Sequence, residues 1–185
     1  REDAMRRLFV AIGLPDQPID TLISLEGNIS GARWLRREAM HLTLAFIGDV
    51  HAFEENRVDE ALRTVHGEPL SLRLKGVGHF PPRGRPRVLW AGLADNEGLA
   101  QLQERVVRSL RAAGFRIEKR RFHPHVTLAR LRGPSAPRVA DFLQAHSLFD
   151  SEPFKVDAFH LYSSELRPEG ARYAVEANYP LDDVG

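Results

Sequence analysis

The 185-residue sequence predicts a two-lobed protein of mixed strands and helices, its lobes related by a pseudo-twofold. Three observations predict this. A strand–helix–strand–helix–strand pattern occurs twice, at about 7–77 and again at about 86–162. That offset is too long for a solenoid, whose repeats run to about 20–50 residues. The middle strand of each copy carries nearly the same segment, His41–Ala45 and His125–Ala129. The composition, 43% hydrophobic and 28% charged, is that of a folded chain and excludes disorder, collagen-like repeats and coiled coils.

Each element follows from local pattern. Leu8–Ile12 is a short apolar run ended by Gly13 and Pro15, hence a buried strand. Asp16 is placed to cap a helix bearing Ile19, Leu22 and Ile23, which Gly27 ends. Residues 28–37 read as loop and 41–48 as strand. Val58, Ala61, Leu62 and Val65 recur at helical spacing within a helix over 54–66. Leu70, Leu72 and Leu74 alternate with polar residues in a half-buried strand over 70–77. In the second copy, 87–93 is a strand, and Asp95 or Asn96 caps a helix through Leu99, Leu102, Val106 and Leu110, closed by Gly114. Residues 122–130 form a strand, Pro137 opens a helix with Val139, Phe142 and Leu143, and 154–162 and 172–179 are strands. The segment 78–86 joins the copies. Its prolines, Pro81, Pro82 and Pro86, lack the donor that helix or sheet needs, so it reads as irregular throughout.

Residues 5–183 are expected to form one two-lobed domain, with Arg1–Ala4 an appended remnant ahead of a native start at Met5. Arg1–Arg7 has no apolar signal core, and no apolar run reaches the about 20 residues of a membrane helix. The absence of cysteine excludes disulfides, thiolate metal sites and a cysteine nucleophile. A cytoplasmic monomer is the expectation. The net charge of +1 hides an asymmetry: residues 73–138 hold 15 Lys/Arg against 4 Asp/Glu, a net of +11. Only Lys75 and Lys119 there are lysines; the others are arginines, whose planar forks suit phosphate. Such a field fits a polyanionic partner, the competing reading being a solvated arginine-rich surface.

The chemistry sits in the repeated segment. In a strand, residues i and i+2 share a face. His41 and Thr43 therefore point together, as do His125 and Thr127, with Leu42, Leu44, Val126 and Leu128 on the opposite, apolar side. The chain has 8 His, 4 Thr and 23 Leu, so composition alone predicts far fewer than one His-x-Thr-Leu match; two are present, at equivalent places. Imidazole titrates near pH 6.5, so one neutral and one protonated histidine can serve as base and acid on opposite sides of a phosphorus. The threonine hydroxyls can donate to its non-bridging oxygens. A zinc site needs three or four ligands, and no third ligand recurs with the motif, although His123 can share a face with His125. No metal and no other cofactor is expected.

Two His-x-Thr motifs about 80 residues apart resemble the two-histidine phosphoesterase superfamily. Within it the chain resembles the bacterial RNA 2′,3′-cyclic phosphodiesterases, the 2′–5′ RNA ligase family. The likeness runs from about residue 6 to 181. It is carried by Leu8–Pro15, Trp34, Met40–Gly48, Phe80–Pro82, Pro86–Trp90, Phe122–Arg130 and Leu161–Leu166. It implies a bilobal α+β fold, with two antiparallel-rich sheets flanked by helices around a central cleft. It implies hydrolysis of an RNA 2′,3′-cyclic phosphate end to a 2′-phosphate without metal or nucleotide. The alternatives are related ligase or phosphodiesterase activities, or an RNA-end binder without catalysis. The resemblance assigns His41 as proton donor and His125 as proton acceptor, a choice the near-symmetric pattern alone leaves open. It also favours Arg130 as a phosphate contact, although strict alternation from His125 puts that residue on the opposite face unless a bulge intervenes. Phe46, at the matching place, is expected in the core, with base stacking as the alternative. Trp34 is expected to pack against the core rather than stack on a base. His51, His66, His79, His146 and His160 read as surface or core residues.

Overall fold

The computed structural model describes residues 4–133 and 136–182. Most of the expected N-terminal remnant, residues 1–3, and the expected domain end at 183 lie outside the described residues. Apolar runs place β1 (Met5–Gly13) inside an antiparallel sheet, where Leu8–Ile12 are all buried. β3 (His41–His51) flanks it on one side and β9 (Ala158–Arg167) on the other, with β10 (Gly170–Pro180) outermost. Beyond β3 follow β7 (His125–Leu131), β6 (Val88–Leu93) and β5 (Leu74–Phe80), also antiparallel. A short β2 (Ala32–Trp34) pairs with β7, and β4 (Leu70–Leu72) with β8 (Phe154–Val156) forms a small second sheet. The fold is α+β.

β3 and β7 meet at one pair, Leu42 opposite Val126. The large sheet is thus two antiparallel halves, β10–β9–β1–β3 and β7–β6–β5, joined at the two motif strands. Each half draws a strand from the other sequence copy: β9 lies beside β1, and β5 beside β6. α1 (Asp16–Ile23), α2 (Glu55–Arg63), α3 (Glu97–Ala112) and α4 (Ala136–Ala145) each bury one face. On α3 these are Leu99, Leu102, Val106 and Leu110, and they join Leu42, Leu44, Val126 and Leu128 in one core. Burying a side chain of this size stabilises by about 1.5–3 kcal/mol, so the apolar backs of the motif strands hold them rigidly. Asn96 caps α3, its Oδ1 accepting from the Leu99 amide at 2.9 Å.

Several boundaries differ from expectation. Pro15 takes the cap position of α1, and Asp16 stands in its first turn without a side-chain cap bond. The expected loop 28–37 contains β2 and the start of a short 3₁₀ turn, Arg37–Ala39, because β7 offers it an unpaired edge. Gly78, His79 and Phe80 are not irregular: they pair with β6, and the prolines interrupt regular structure only from Pro81 onward. The strands expected at 70–77 and 154–162 each divide in two, at Arg73 and at Asp157.

Candidate active site

The two motif strands lie side by side. Antiparallel register through Leu42 and Val126 sets His41 toward Thr127 and Thr43 toward His125, so the histidines stand diagonally across the seam. All four residues are partly exposed on one face, while Leu42, Leu44, Val126 and Leu128 are buried on the other.

A bulge in each strand sets which way the residues after the motif point. Val10 and Ala11 pair with Ala45 and Thr43, which leaves Leu44 as an extra residue. Leu89 and Trp90 pair with Ala129 and Thr127, which leaves Leu128 extra. Two consecutive residues therefore face the core in each strand, Leu44–Ala45 and Leu128–Ala129, and alternation resumes shifted by one. The shift turns Arg130 onto the face of His125 and Thr127, as the phosphate-contact reading requires. It also turns Phe46 outward, 70% exposed. The expectation that Phe46 belongs to the core is thus corrected.

The two imidazoles differ in surroundings. The His125 Nδ1 lies 2.6 Å from the His123 carbonyl oxygen, so Nδ1–H donates there and Nε2 is left as the basic nitrogen. Phe80 lies edge-on to its ring at 4.9 Å, and Trp90 stands at 6.3 Å. His41 sits among Phe9 (4.8 Å), Tyr162 (5.6 Å) and Tyr173 (5.1 Å). Burial, helped by the Arg130 charge, lowers the His41 pKa to about 4. Burial also lowers that of His125; the bond to the His123 carbonyl works against this and the His123 charge adds to it. Both shifts favour the neutral imidazole at neutral pH.

Tyr173 reaches this group from β10, two strands from β1, because the β9–β10 hairpin bends over the cleft. Its turn touches the far side: an Arg33 guanidinium nitrogen donates to the Glu169 carbonyl. Tyr162, Tyr173 and Phe9 were not singled out from sequence as site residues. Strand alternation puts Tyr162 on one face of its strand, but it does not say that this strand lies beside β1. His160 stands beside Tyr162 on the same face, its ring 5.8 Å away. Trp34 packs half-buried against Phe142 at 5.7 Å, in keeping with the core reading. His51 stacks on Phe53, and His146 lies against Phe142. Among the described residues no three His, Asp or Glu side chains gather as a metal-ligand set.

A family model described as the 2′-5′ RNA ligase superfamily matches residues 15–168. The chain belongs to this superfamily. Its relatives include RNA 2′,3′-cyclic phosphodiesterases of Archaeoglobus fulgidus, 33% identical over 90% of this chain and 96% of that one, and of Thermotoga maritima, 34% identical over 91% and 92%. Solved structures superpose closely. TT0787 of Thermus thermophilus gives a TM-score of 0.80 at 28% identity, covering 97% of this chain and all of that one. LigT of E. coli complexed with 3′-AMP gives 0.79 at 26% identity, covering 96% and 99%.

Proposed function

We propose that the protein hydrolyses the 2′,3′-cyclic phosphate at the end of an RNA to a 2′-phosphomonoester, using His41 and His125 as acid and base. The observation that carries this is the pairing of β3 and β7, which sets two His-Thr couples diagonally across one seam. A cyclic phosphate held between them has a histidine on either side of phosphorus, the geometry of an in-line displacement. His125, with Nδ1 bound to a carbonyl, accepts a proton from water through Nε2. The water oxygen bonds to phosphorus as the bond from phosphorus to the 3′-oxygen breaks. His41 donates its proton to that leaving oxygen. Thr43 and Thr127 donate to the non-bridging oxygens, and Arg130 offsets their charge.

His41 needs a proton for this role, although burial and the Arg130 charge favour its neutral form. The substrate supplies the reason to bind one: its negative charge offsets Arg130 and favours the imidazolium. The reading uses no metal and no other cofactor, takes the RNA end as partner, and places a monomer in the cytoplasm. The test is incubation of chelator-treated protein with a nucleoside 2′,3′-cyclic phosphate. The expected product is the 2′-monophosphate. A 3′-phosphate product would overturn the binding orientation, and activity restored only by added metal would overturn the two-histidine chemistry.

A further inference from the structure

We infer that a pocket at the end of β7 is a phosphate subsite for the RNA chain upstream of the reacting end; this rests on the reading above. Arg85, Arg87 and Arg132 line it with Leu131 and Gly133, around a volume of about 430 Å³. The Arg87 carbonyl accepts from the Leu131 amide at 2.8 Å, which ties the segment before β6 to the end of β7. No acidic residue lines the pocket. Among the described residues, none of these three guanidinium groups makes an ion pair or side-chain hydrogen bond. Arg73, Arg108 and Arg120, in the same basic stretch, each have a carboxylate partner. Three like charges gathered without a counter-charge repel one another, and a bound anion relieves that repulsion. Guanidinium forks fit phosphate oxygens.

The pocket also lies where an RNA chain leaves the cleft. Arg132 stands two residues past Arg130, about 6–7 Å along extended backbone, the scale of one nucleotide step. Arg130 is flanked by Arg33 on β2 and Val88 on β6. The Arg33 side is covered by the hairpin turn, since Arg33 holds the Glu169 carbonyl. The β6 side leads to Arg87 and Arg85. A ribonucleotide chain whose terminal phosphate sits at the histidines therefore passes Arg130 and places its next backbone phosphate among these arginines.

The experiment compares a nucleoside 2′,3′-cyclic phosphate with an oligoribonucleotide ending in the same group, for wild type and for the double variant Arg85→Gln/Arg132→Gln. All three arginines are exposed, so folding is not at stake, and turnover of the nucleoside substrate is expected to be unchanged. For the oligonucleotide, kcat/KM is expected to fall about tenfold or more, because charge-assisted bonds to phosphate are lost. Its salt dependence is expected to become shallower by one to two in log–log slope. A single uncharged methylphosphonate linkage, moved along the oligonucleotide, is expected to cost the wild type a similar factor at one position and the double variant nothing there. Equal losses on both substrates, or no loss on either, would overturn the subsite. Binding of a non-reactive oligoribonucleotide reads the pocket independently of turnover. Arginine-dependent binding without hydrolysis of either substrate would overturn the proposed activity and leave the subsite standing; arginine-independent binding would overturn the subsite alone.

Discussion

At the scale of single residues, the two histidines are related by the repeat yet differ in chemistry. His125 has its tautomer set by the His123 carbonyl at 2.6 Å, whereas the buried Nδ1 of His41 has no partner among the described residues. This asymmetry supports the roles that sequence pattern alone left open. An acid or base contributes about 10²–10⁴-fold, so His41→Ala and His125→Ala are each expected to lose that much kcat while remaining folded by circular dichroism. A 3′-thio substrate, whose sulfur leaves without protonation, should rescue His41→Ala far more than His125→Ala; the opposite rescue would reverse the roles. The pH profile carries a second expectation. kcat/KM reports the free enzyme, where both imidazoles titrate below their usual 6.5, so its maximum should lie below that pH. kcat reports the complex, where the phosphate charge raises both, so its maximum should lie higher, each limb belonging to the pair. Coincident maxima would remove the substrate-driven protonation of His41.

At the scale of elements, the bulges at Leu44 and Leu128 and the packing of Trp90 shape the cleft. Trp90 lies over Gly78 on the neighbouring strand, so that a Cβ built on Gly78 would stand 2.2 Å from the indole Cζ2. In the other half Tyr162 pairs with Phe9 and stacks on it, so each half covers its sheet with aromatic rings but from different strands. Gly78→Ala must therefore displace Trp90 from its place beside Phe80 and His123. Overpacking of this kind typically costs about 1–3 kcal/mol, and the variant should show a lower urea midpoint together with reduced kcat. Unchanged values in both would mean that Trp90 moves without consequence. This element-level packing was the least legible part of the sequence. The His-x-Thr pairs, their apolar backs and the α3 stripe were readable because each rests on a local period. Period-two counting misplaces Phe46 because it assumes no bulge, and nothing in Leu42–Phe46 announces one. Tyr173 reads from sequence only as part of an alternating strand, because its place beside His41 depends on how the hairpin bends. Gly78–Phe80 read as loop from sequence because the prolines after them weigh on their neighbours.

At the scale of the whole molecule, the copies exchange strands: β5 of the first completes the half-sheet of the second, and β9 of the second completes that of the first. Neither copy holds a complete half-sheet, so the chain is expected to unfold in one transition, with calorimetric and van't Hoff enthalpies equal. That coupling makes the motif histidines a load on global stability. His41 is neutral in the fold, with a pKa of about 4, but titrates near 6.5 in the unfolded chain. Between these values the unfolded state binds more protons, so stability falls as pH is lowered from 6.5 toward 4 and is retained above 6.5. For His41 the full shift corresponds to about 3 kcal/mol, a sizeable part of the 5–15 kcal/mol of a typical domain. Burial lowers the pKa of His125 and His160 as well, and both act in the same direction. The urea midpoint should therefore drop between pH 6.5 and 5, where most carboxylates are still ionised. His41→Asn, which cannot take up a proton, should show a smaller drop over that interval. A bound nucleoside 2′-monophosphate, whose charge favours the imidazolium, should also reduce it in the wild type. A wild-type midpoint that stays level from pH 6.5 to 5 would contradict a neutral, desolvated His41, and with it the requirement that substrate binding charge the acid.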